Sequence, residues 1–73
     1  MMSAEEMFKK NNLFKKIDNE EYIEYELISD IWRYYIVFDK KYKTINFNMY
    51  EVINMQELQA INKQVEELGW NNE

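Results

Sequence analysis

The chain has 73 residues, a net charge of −5, and neither cysteine nor histidine. This length allows one domain, residues 1–73, with a small core; disulfide bonds are excluded, and a structural zinc site lacks its usual ligands. The acidic balance argues against a general nucleic-acid binder, which needs a basic surface, whereas 47% apolar and 16% aromatic residues are typical of a folded globular protein.

A short helix is predicted at the N-terminus. Ser3 and Glu6 have the spacing of a capping box, in which each side chain accepts a hydrogen bond from the other residue's backbone amide. The helix should run from Ala4 to about Asn11. Asn12 is expected to end it in a left-handed conformation, which asparagine tolerates better than most residues.

Four segments between the two ends of the chain are rich in aromatic or β-branched residues and contain no proline. Short polar turns separate them, and no segment long enough for a crossover helix lies between them. An antiparallel meander of three or four strands is therefore predicted. The predicted strands are Leu13–Ile17, Tyr22–Ile28, Ile31–Phe38 and Lys43–Tyr50.

Alternation along the strands predicts which side chains face the core. A two-residue turn at Ser29 and Asp30 would place Tyr25 opposite Tyr34, Leu27 opposite Trp32 and Glu26 opposite Arg33. A loop of Asp39–Tyr42, with Tyr42 in a left-handed conformation, would place Ile36 opposite Ile45 and Tyr34 opposite Phe47. The register of the first strand is left open. The predicted core face consists of Ile23, Tyr25, Leu27, Trp32, Tyr34, Ile36, Ile45, Phe47 and Met49.

A second helix is predicted after Asn54, which forms a capping box with Glu57. It should end at Gly69, the only glycine, with Trp70 folding back over the core. Its apolar stripe is Leu58, Ile61, Val65 and Leu68. The predicted fold is therefore α+β, in the order helix, three- or four-stranded antiparallel meander, helix, with both helices on one sheet face.

The other face of the predicted sheet mixes aromatic and charged side chains. This composition is typical of protein interfaces, although tyrosine, valine and threonine also suit ordinary exposed strands. The side chains on this face are Tyr22, Glu24, Glu26, Ile28, Ile31, Arg33, Tyr35, Val37, Thr44, Asn46, Asn48 and Tyr50. The candidate protein-binding residues are Tyr22, Tyr35, Tyr50 and Arg33 as anchors, with Glu24 and Glu26 supplying charge.

Other functions receive less support from the residues. Direct single-strand nucleic-acid binding is disfavoured, because Arg33 is the lone cation on the candidate face. The acidic segment from Asp18 to Asp30 could imitate a phosphate backbone and occupy a basic groove on another protein, or simply be a solvated edge. Catalysis is not expected, since Glu24 and Glu26 would have to supply it without a deep cleft. We expect no cofactor and no metal.

No stretch of the sequence approaches the roughly 18 apolar residues that a membrane span requires, and the N-terminal sequence MMSAEEMFKK lacks the apolar region of a signal peptide. We therefore expect a cytoplasmic protein that does not bind membranes.

The ending INMQELQAINKQVEELGW resembles that of small proteins encoded by phages and prophages of Firmicutes, and SAEEMF, IEYE and FDKKYKTI resemble the same group in the same order. The group tends to have Leu-Gly in place of Asn11 and Asn12, and asparagine in place of Tyr42. The resemblance implies no activity or site residue. It implies a setting in the host cytoplasm, where small acidic phage proteins commonly bind host proteins, including as anti-CRISPR inhibitors.

The sequence therefore leads us to expect a noncatalytic module that binds and blocks a host protein. The alternative is a homodimeric structural or regulatory phage accessory protein without a foreign target, assembled through the same face or through an edge strand.

Overall fold

The computed structural model of the protein describes residues 1–27, 33–48 and 53–72, the side chain of Asn72 excepted. Four strands form one antiparallel sheet in the order β1-β2-β3-β4, with one helix before them and one after them. The predicted α+β meander is confirmed, with four strands. The elements are α1 (Ala4–Lys9), β1 (Leu13–Asp18), β2 (Tyr22–Leu27), β3 (Tyr34–Asp39), β4 (Thr44–Phe47), α2 (Met55–Leu68) and a 3₁₀ helix (Trp70–Asn72).

Both helices begin at the predicted capping boxes. In the first box, the Glu6 amide donates to Ser3 Oγ at 3.2 Å and the Ser3 amide donates to Glu6 Oε1 at 3.0 Å. The hydrogen bond from the Ser3 backbone lowers the pKa of Glu6. In the second box, the Glu57 amide donates to Asn54 Oδ1 at 2.7 Å and the Asn54 amide donates to Glu57 Oε1 at 3.3 Å. These local contacts fix where each helix starts.

The helix ends also follow the sequence, with one difference in length. Asn12 has a φ of 62° and Gly69 a φ of 75°, so both predicted left-handed residues are confirmed. However, α1 ends at Lys9 rather than near Asn11. A side-chain hydrogen bond from Asn11 Nδ2 to the Met7 carbonyl, at 3.2 Å, occupies an acceptor of the last turn.

The core lies on one face of the sheet, as predicted. The Phe8 ring of α1 stacks on Tyr25 of β2 with ring centroids 4.0 Å apart, and Phe38 of β3 meets both rings edge-on at 6.1 and 6.2 Å. Trp70 follows α2 and covers Phe38, with ring centroids 6.2 Å apart. Both helices therefore cover the same side. The buried apolar residues are Ala4, Phe8, Leu13, Ile23, Tyr25, Tyr34, Ile36, Phe38, Ala60 and Ile61.

The buried stripe of α2 differs from the predicted one. Leu58 is exposed, whereas Ala60 and Gln64 are buried beside Ile61. The stripe differs because α1 packs against α2 and adds to the surface that α2 must bury; at this contact the Ala4 amide donates a hydrogen bond to Glu67 Oε2 at 2.8 Å. Leu58 is thus left at the margin of the covered side.

Both hairpins preserve the predicted faces but not the predicted partners. Tyr25 pairs with Ile36 rather than Tyr34, and Leu27 pairs with Tyr34 rather than Trp32. Ile36 pairs with Phe47 rather than Ile45. Each register is shifted by two residues, which changes partners without exchanging the two sides of the sheet.

The turn chemistry explains the shift in the second hairpin. Asp39 pairs with Thr44, so the loop is 40–43 instead of the predicted Asp39–Tyr42. The Asp39 carboxylate accepts hydrogen bonds from the amides of Lys41 and Tyr42 at 2.9 and 3.0 Å. Lys43, with a φ of 53°, takes the left-handed conformation that was predicted for Tyr42. An aspartate turn therefore sets this register.

In the first of these hairpins, Leu27 pairs with Tyr34, so the register is not the one that a two-residue turn at Ser29 and Asp30 would set. The predicted turn residues Ser29 and Asp30 lie outside the described residues. So do the predicted strand positions Ile28, Ile31, Trp32, Met49 and Tyr50.

Candidate functional site

We call the side of the sheet opposite the helices the outer face. Every buried apolar side chain of a strand belongs to the opposite side, and no helix of the described residues packs on the outer face. Because strand side chains alternate, the pairing of the four strands assigns its members. They are Phe14, Ile17, Tyr22, Glu24, Glu26, Tyr35, Val37, Asp39, Thr44 and Asn46. Arg33, which precedes β3, joins this face through its contacts with Glu26 and Tyr35.

One cross-strand row runs through the middle of the outer face. Ile17 pairs with Glu24, Glu24 with Val37, and Val37 with Asn46. Glu24 therefore stands between two apolar side chains. Within the described residues its carboxylate makes no ion pair or hydrogen bond. The row presents a carboxylate without a direct partner between two apolar side chains, although the charge of Arg33 acts on it from a longer distance.

A second row lies beside it. Phe14 pairs with Glu26, and Glu26 pairs with Tyr35. Arg33 completes this group: its Nη2 lies 2.7 Å from Glu26 Oε2, and its guanidinium carbon lies 5.9 Å from the centroid of the Tyr35 ring. The hydrogen bond to Glu26 raises the pKa of Arg33. The charge of Glu26 is thus already balanced within the chain.

The backbone beneath this second group is held by Asn48, which follows β4. The Tyr35 amide donates to Asn48 Oδ1 at 2.8 Å, and Asn48 Nδ2 donates to the Arg33 carbonyl at 2.7 Å. A side-chain amide thus supplies the donor and the acceptor that a neighbouring strand would otherwise provide beyond Phe47. This arrangement fixes the positions of Arg33 and Tyr35 on the sheet.

Two members of the outer face, Phe14 and Ile17, were not predicted. A β-bulge lies in β1: Lys15 pairs with Tyr25 and Ile17 with Glu24, so Lys16 has no opposite residue. The extra residue reverses the alternation and brings Ile17 to the same side as Phe14. Since the sequence left the register of β1 open, alternation could not assign either side chain to a face.

Apolar side chains are accessible on this face. Phe14, Ile17 and Tyr22 have exposed fractions of 40%, 39% and 39%, while Tyr35 and Val37 are half-buried by their neighbours on the sheet. These side chains stand on paired strands and need no rearrangement to be reached. Within the described residues, the outer face therefore combines apolar contact area with a carboxylate, that of Glu24, that makes no ion pair or hydrogen bond.

Most of the predicted site residues lie together on this face. Glu26, Arg33 and Tyr35 form the contact group described above, and Glu24 lies next to it along β2. Tyr22 is at the opposite end of β2, where it pairs with Asp39. Tyr50 lies outside the described residues.

The acidic segment does not form one continuous edge. Asp18 lies 3.2 Å from Lys15 Nζ and 3.5 Å from Lys40 Nζ. Partial burial acts to raise the pKa of Asp18, but the hydrogen bond from Lys15 and the charge of Lys40 outweigh it, so the net shift is downward. Glu20 and Glu21 are exposed in the turn before β2. The negative charge is therefore divided between the turn and the outer face.

A groove of about 500 Å³ lies on the helix side of the molecule. It runs between α1 and α2, with Met2 and Met7 beside polar side chains of Lys10, Asn11, Gln56 and Gln59. In the part of the chain that the structure describes, no group of three or more acidic side chains is arranged to hold a metal ion. The described residues that line the groove are methionine, lysine, asparagine and glutamine, and they form no grouping that indicates a reaction.

Comparisons of the chain with protein-family models, with curated proteins and with solved structures gave no match. Within residues 1–27, 33–48 and 53–72, none of the helices has the length and apolar character needed to cross a membrane.

Proposed function

We propose that this protein is a small noncatalytic protein-binding module, encoded by a phage, that binds a host protein through the outer face and blocks it by occupancy. The observation that carries the proposal is the exposure of Phe14, Ile17 and Tyr22 together on paired strands that no described helix covers. Aromatic side chains and arginine are enriched in the centres of protein interfaces.

The local order of the face supports binding rather than ordinary solvation. Arg33 pairs with Glu26 and lies over Tyr35, so these contacts already favour one arrangement of its exposed side chain and reduce the freedom lost on association. The backbone under both residues is fixed by Asn48. A pre-organised aromatic and arginine pair is the kind of group that contributes most to an interface.

The setting is proposed from the resemblance of the chain's segments to small phage proteins. In that setting the target is a host factor, such as a component of a bacterial defence system. The more specific proposal is that the protein acts as an anti-CRISPR-like inhibitor. The divided acidic charge, in the turn and on the outer face, suits a target surface that normally contacts nucleic acid.

Site-specific photo-crosslinking tests this proposal. The photoreactive aromatic residue p-benzoylphenylalanine replaces Phe14 in one variant and Tyr22 in another, each expressed in a Firmicutes host. The matched control carries it at Tyr42, which is 68% exposed in the β3–β4 loop and lies off the outer face. We expect Phe14 and Tyr22 to crosslink to the same host protein. The Tyr42 variant should not do so, although its side chain is the most accessible of the three.

Other outcomes would contradict the proposal. If the Tyr42 variant crosslinks to the same host protein as strongly as the other two variants, the contact does not depend on the outer face. A crosslink from Phe14 or Tyr22 only to a second copy of the chain would support the homodimeric accessory protein instead. Circular dichroism of each variant establishes that the fold is retained.

A further inference from the structure

The charge arrangement on the outer face distinguishes its two glutamates. Glu26 is paired with Arg33 at 2.7 Å. Glu24 lies two residues away on the same strand face, between Ile17 and Val37, and within the described residues it makes no ion pair or hydrogen bond, although it feels the charge of Arg33 at longer range. A partner that covers Ile17 and Val37 will also remove water from this carboxylate. Burying a carboxylate without a compensating charge or hydrogen bond is strongly unfavourable.

We infer that the segment docking on the outer face is basic, and that it places an arginine or lysine side chain over the row Ile17, Glu24 and Val37. The inference rests on the proposed function and names the chemistry of the partner. The aliphatic stem of such a side chain covers Ile17 and Val37, while its charged head pairs with Glu24. Arginine fits best, because its guanidinium forms two parallel hydrogen bonds to a carboxylate.

A second copy of this chain is a poor occupant of the same surface. A symmetric dimer centred on this row would bring two Glu24 carboxylates into one interface that excludes water. The chain also carries a net charge of −5, so two copies repel each other before contact. Nucleic acid is disfavoured for the same reason, since Glu24 would face phosphate. A basic protein segment is the occupant whose charge complements the face.

Nuclear magnetic resonance titration with defined peptides tests the inference. The probe is a short peptide in which arginine alternates with leucine, and the reference peptide has glutamine in place of each arginine. The protein is labelled with ¹⁵N, and amide shifts of β1, β2 and β3 report binding on the outer face. We expect the basic peptide to shift these amides and to bind about tenfold more tightly than the neutral one. Added salt should weaken its binding.

Two glutamate variants provide the matched comparison. Glu24→Gln should weaken binding of the basic peptide by about tenfold, because the paired charge is lost. Glu20→Gln removes the same charge from the exposed turn before β2 and should change the affinity less than about twofold, within the usual effect of a distant surface charge. Unchanged amide shifts on the helix side establish that both variants keep the fold.

The outcomes separate this inference from the proposed function. Equal binding of the neutral and basic peptides on the outer face overturns the inference and leaves the binding face intact. Shifts confined to the turn around Glu20 and Glu21, or no binding of either peptide, also overturn it. Concentration-dependent shifts on the outer face without peptide identify a second copy as the occupant and overturn it too. Failure of the proposed function is read from the crosslinking experiment.

Discussion

The hydroxyl of Tyr25 joins the sheet to α2 in the centre of the core, and its removal should be costly. Tyr25 is fully buried, and its hydroxyl donates a hydrogen bond of 2.6 Å to Gln64 Oε1. Gln64 is only 3% exposed, so water cannot replace the lost donor. Tyr25→Phe leaves the ring packing on Phe8 in place and leaves a buried amide oxygen without this hydrogen bond.

The expected cost follows from the desolvation of that oxygen. Leaving a buried acceptor unsatisfied reduces the free energy of unfolding by about 1–3 kcal/mol. For a domain of this size, each kcal/mol lowers Tm by roughly 4–8 °C. Replacing both partners with apolar groups should be much less harmful, because no unsatisfied acceptor remains. Tyr25→Phe should therefore cost less than about 0.5 kcal/mol when it is made in a Gln64→Leu background.

Urea unfolding of the four proteins in this double-mutant cycle measures both costs, with tryptophan fluorescence as the signal. Trp70 reports core packing because it lies against Phe38. The slope of the unfolding free energy with urea should be the same in all four proteins, so that midpoints can be compared. If Tyr25→Phe has the same effect with Gln64 present and in the Gln64→Leu background, the hydroxyl does not act through Gln64, and the unsatisfied oxygen does not cause the loss of stability.

Two further predictions concern pH and the end of α2. Burial first, and then the charge of Glu5, raise the pKa of Tyr25 well above its ordinary value of about 10. Above that pH the folded state keeps a proton that the unfolded state loses, so the free energy of unfolding should fall as the pH rises. Urea unfolding across this pH range should show a smaller fall for Tyr25→Phe. Gly69→Ala should lower the free energy of unfolding by about 1 kcal/mol. The cause is backbone strain alone, since φ is 75° and no atom lies within 4 Å of the added Cβ. Gly69→Asn should cost less in thermal unfolding, and equal costs of the two variants would contradict this reason.

The starts of both helices and the left-handed residues after them were predictable because the interactions that set them lie within a few residues, although α1 ends two residues earlier than predicted. Ser3 and Glu6 are three apart, as are Asn54 and Glu57, and both capping boxes form as the sequence indicates. The left-handed glycine after α2 follows from local backbone preference in the same way. These features depend on chain geometry, and packing elsewhere did not alter them.

The faces of the middle strands were predictable for a different reason. Alternation separates Ile23 and Tyr25 from Glu24 and Glu26 whatever their partners are. A shift of two residues leaves that separation unchanged, so apolar patterning cannot detect it. The partners were decided instead by the connections, including the hydrogen bonds that Asp39 accepts within the loop. The β3–β4 loop has the predicted length of four residues but lies one residue further along the chain, so loop length alone does not fix the register.

The candidate site was only partly predictable from the sequence. Alternation assigned five of the predicted residues to the outer face. The pairing of β2 with β3 supports this for Tyr22, Glu24, Glu26 and Tyr35, and the contacts of Arg33 with Glu26 and Tyr35 support it for Arg33. Tyr50 lies outside the described residues, so its assignment stays a prediction. Alternation could not assign Phe14 and Ile17 of β1 to the outer face, because the bulge reverses the alternation partway along this strand.

The bulge at Lys16 determines how much apolar surface the outer face carries. Before it, Leu13 is buried on the helix side; after it, Asp18 takes that side and bonds to Lys15 and Lys40. Without the extra residue, Ile17 would point toward the helices and Asp18 outward. With the bulge, Ile17 is instead exposed on the outer face beside Glu24. Because a small domain has few apolar side chains to stabilise its core, placing one outside favours a role for that surface in binding a partner.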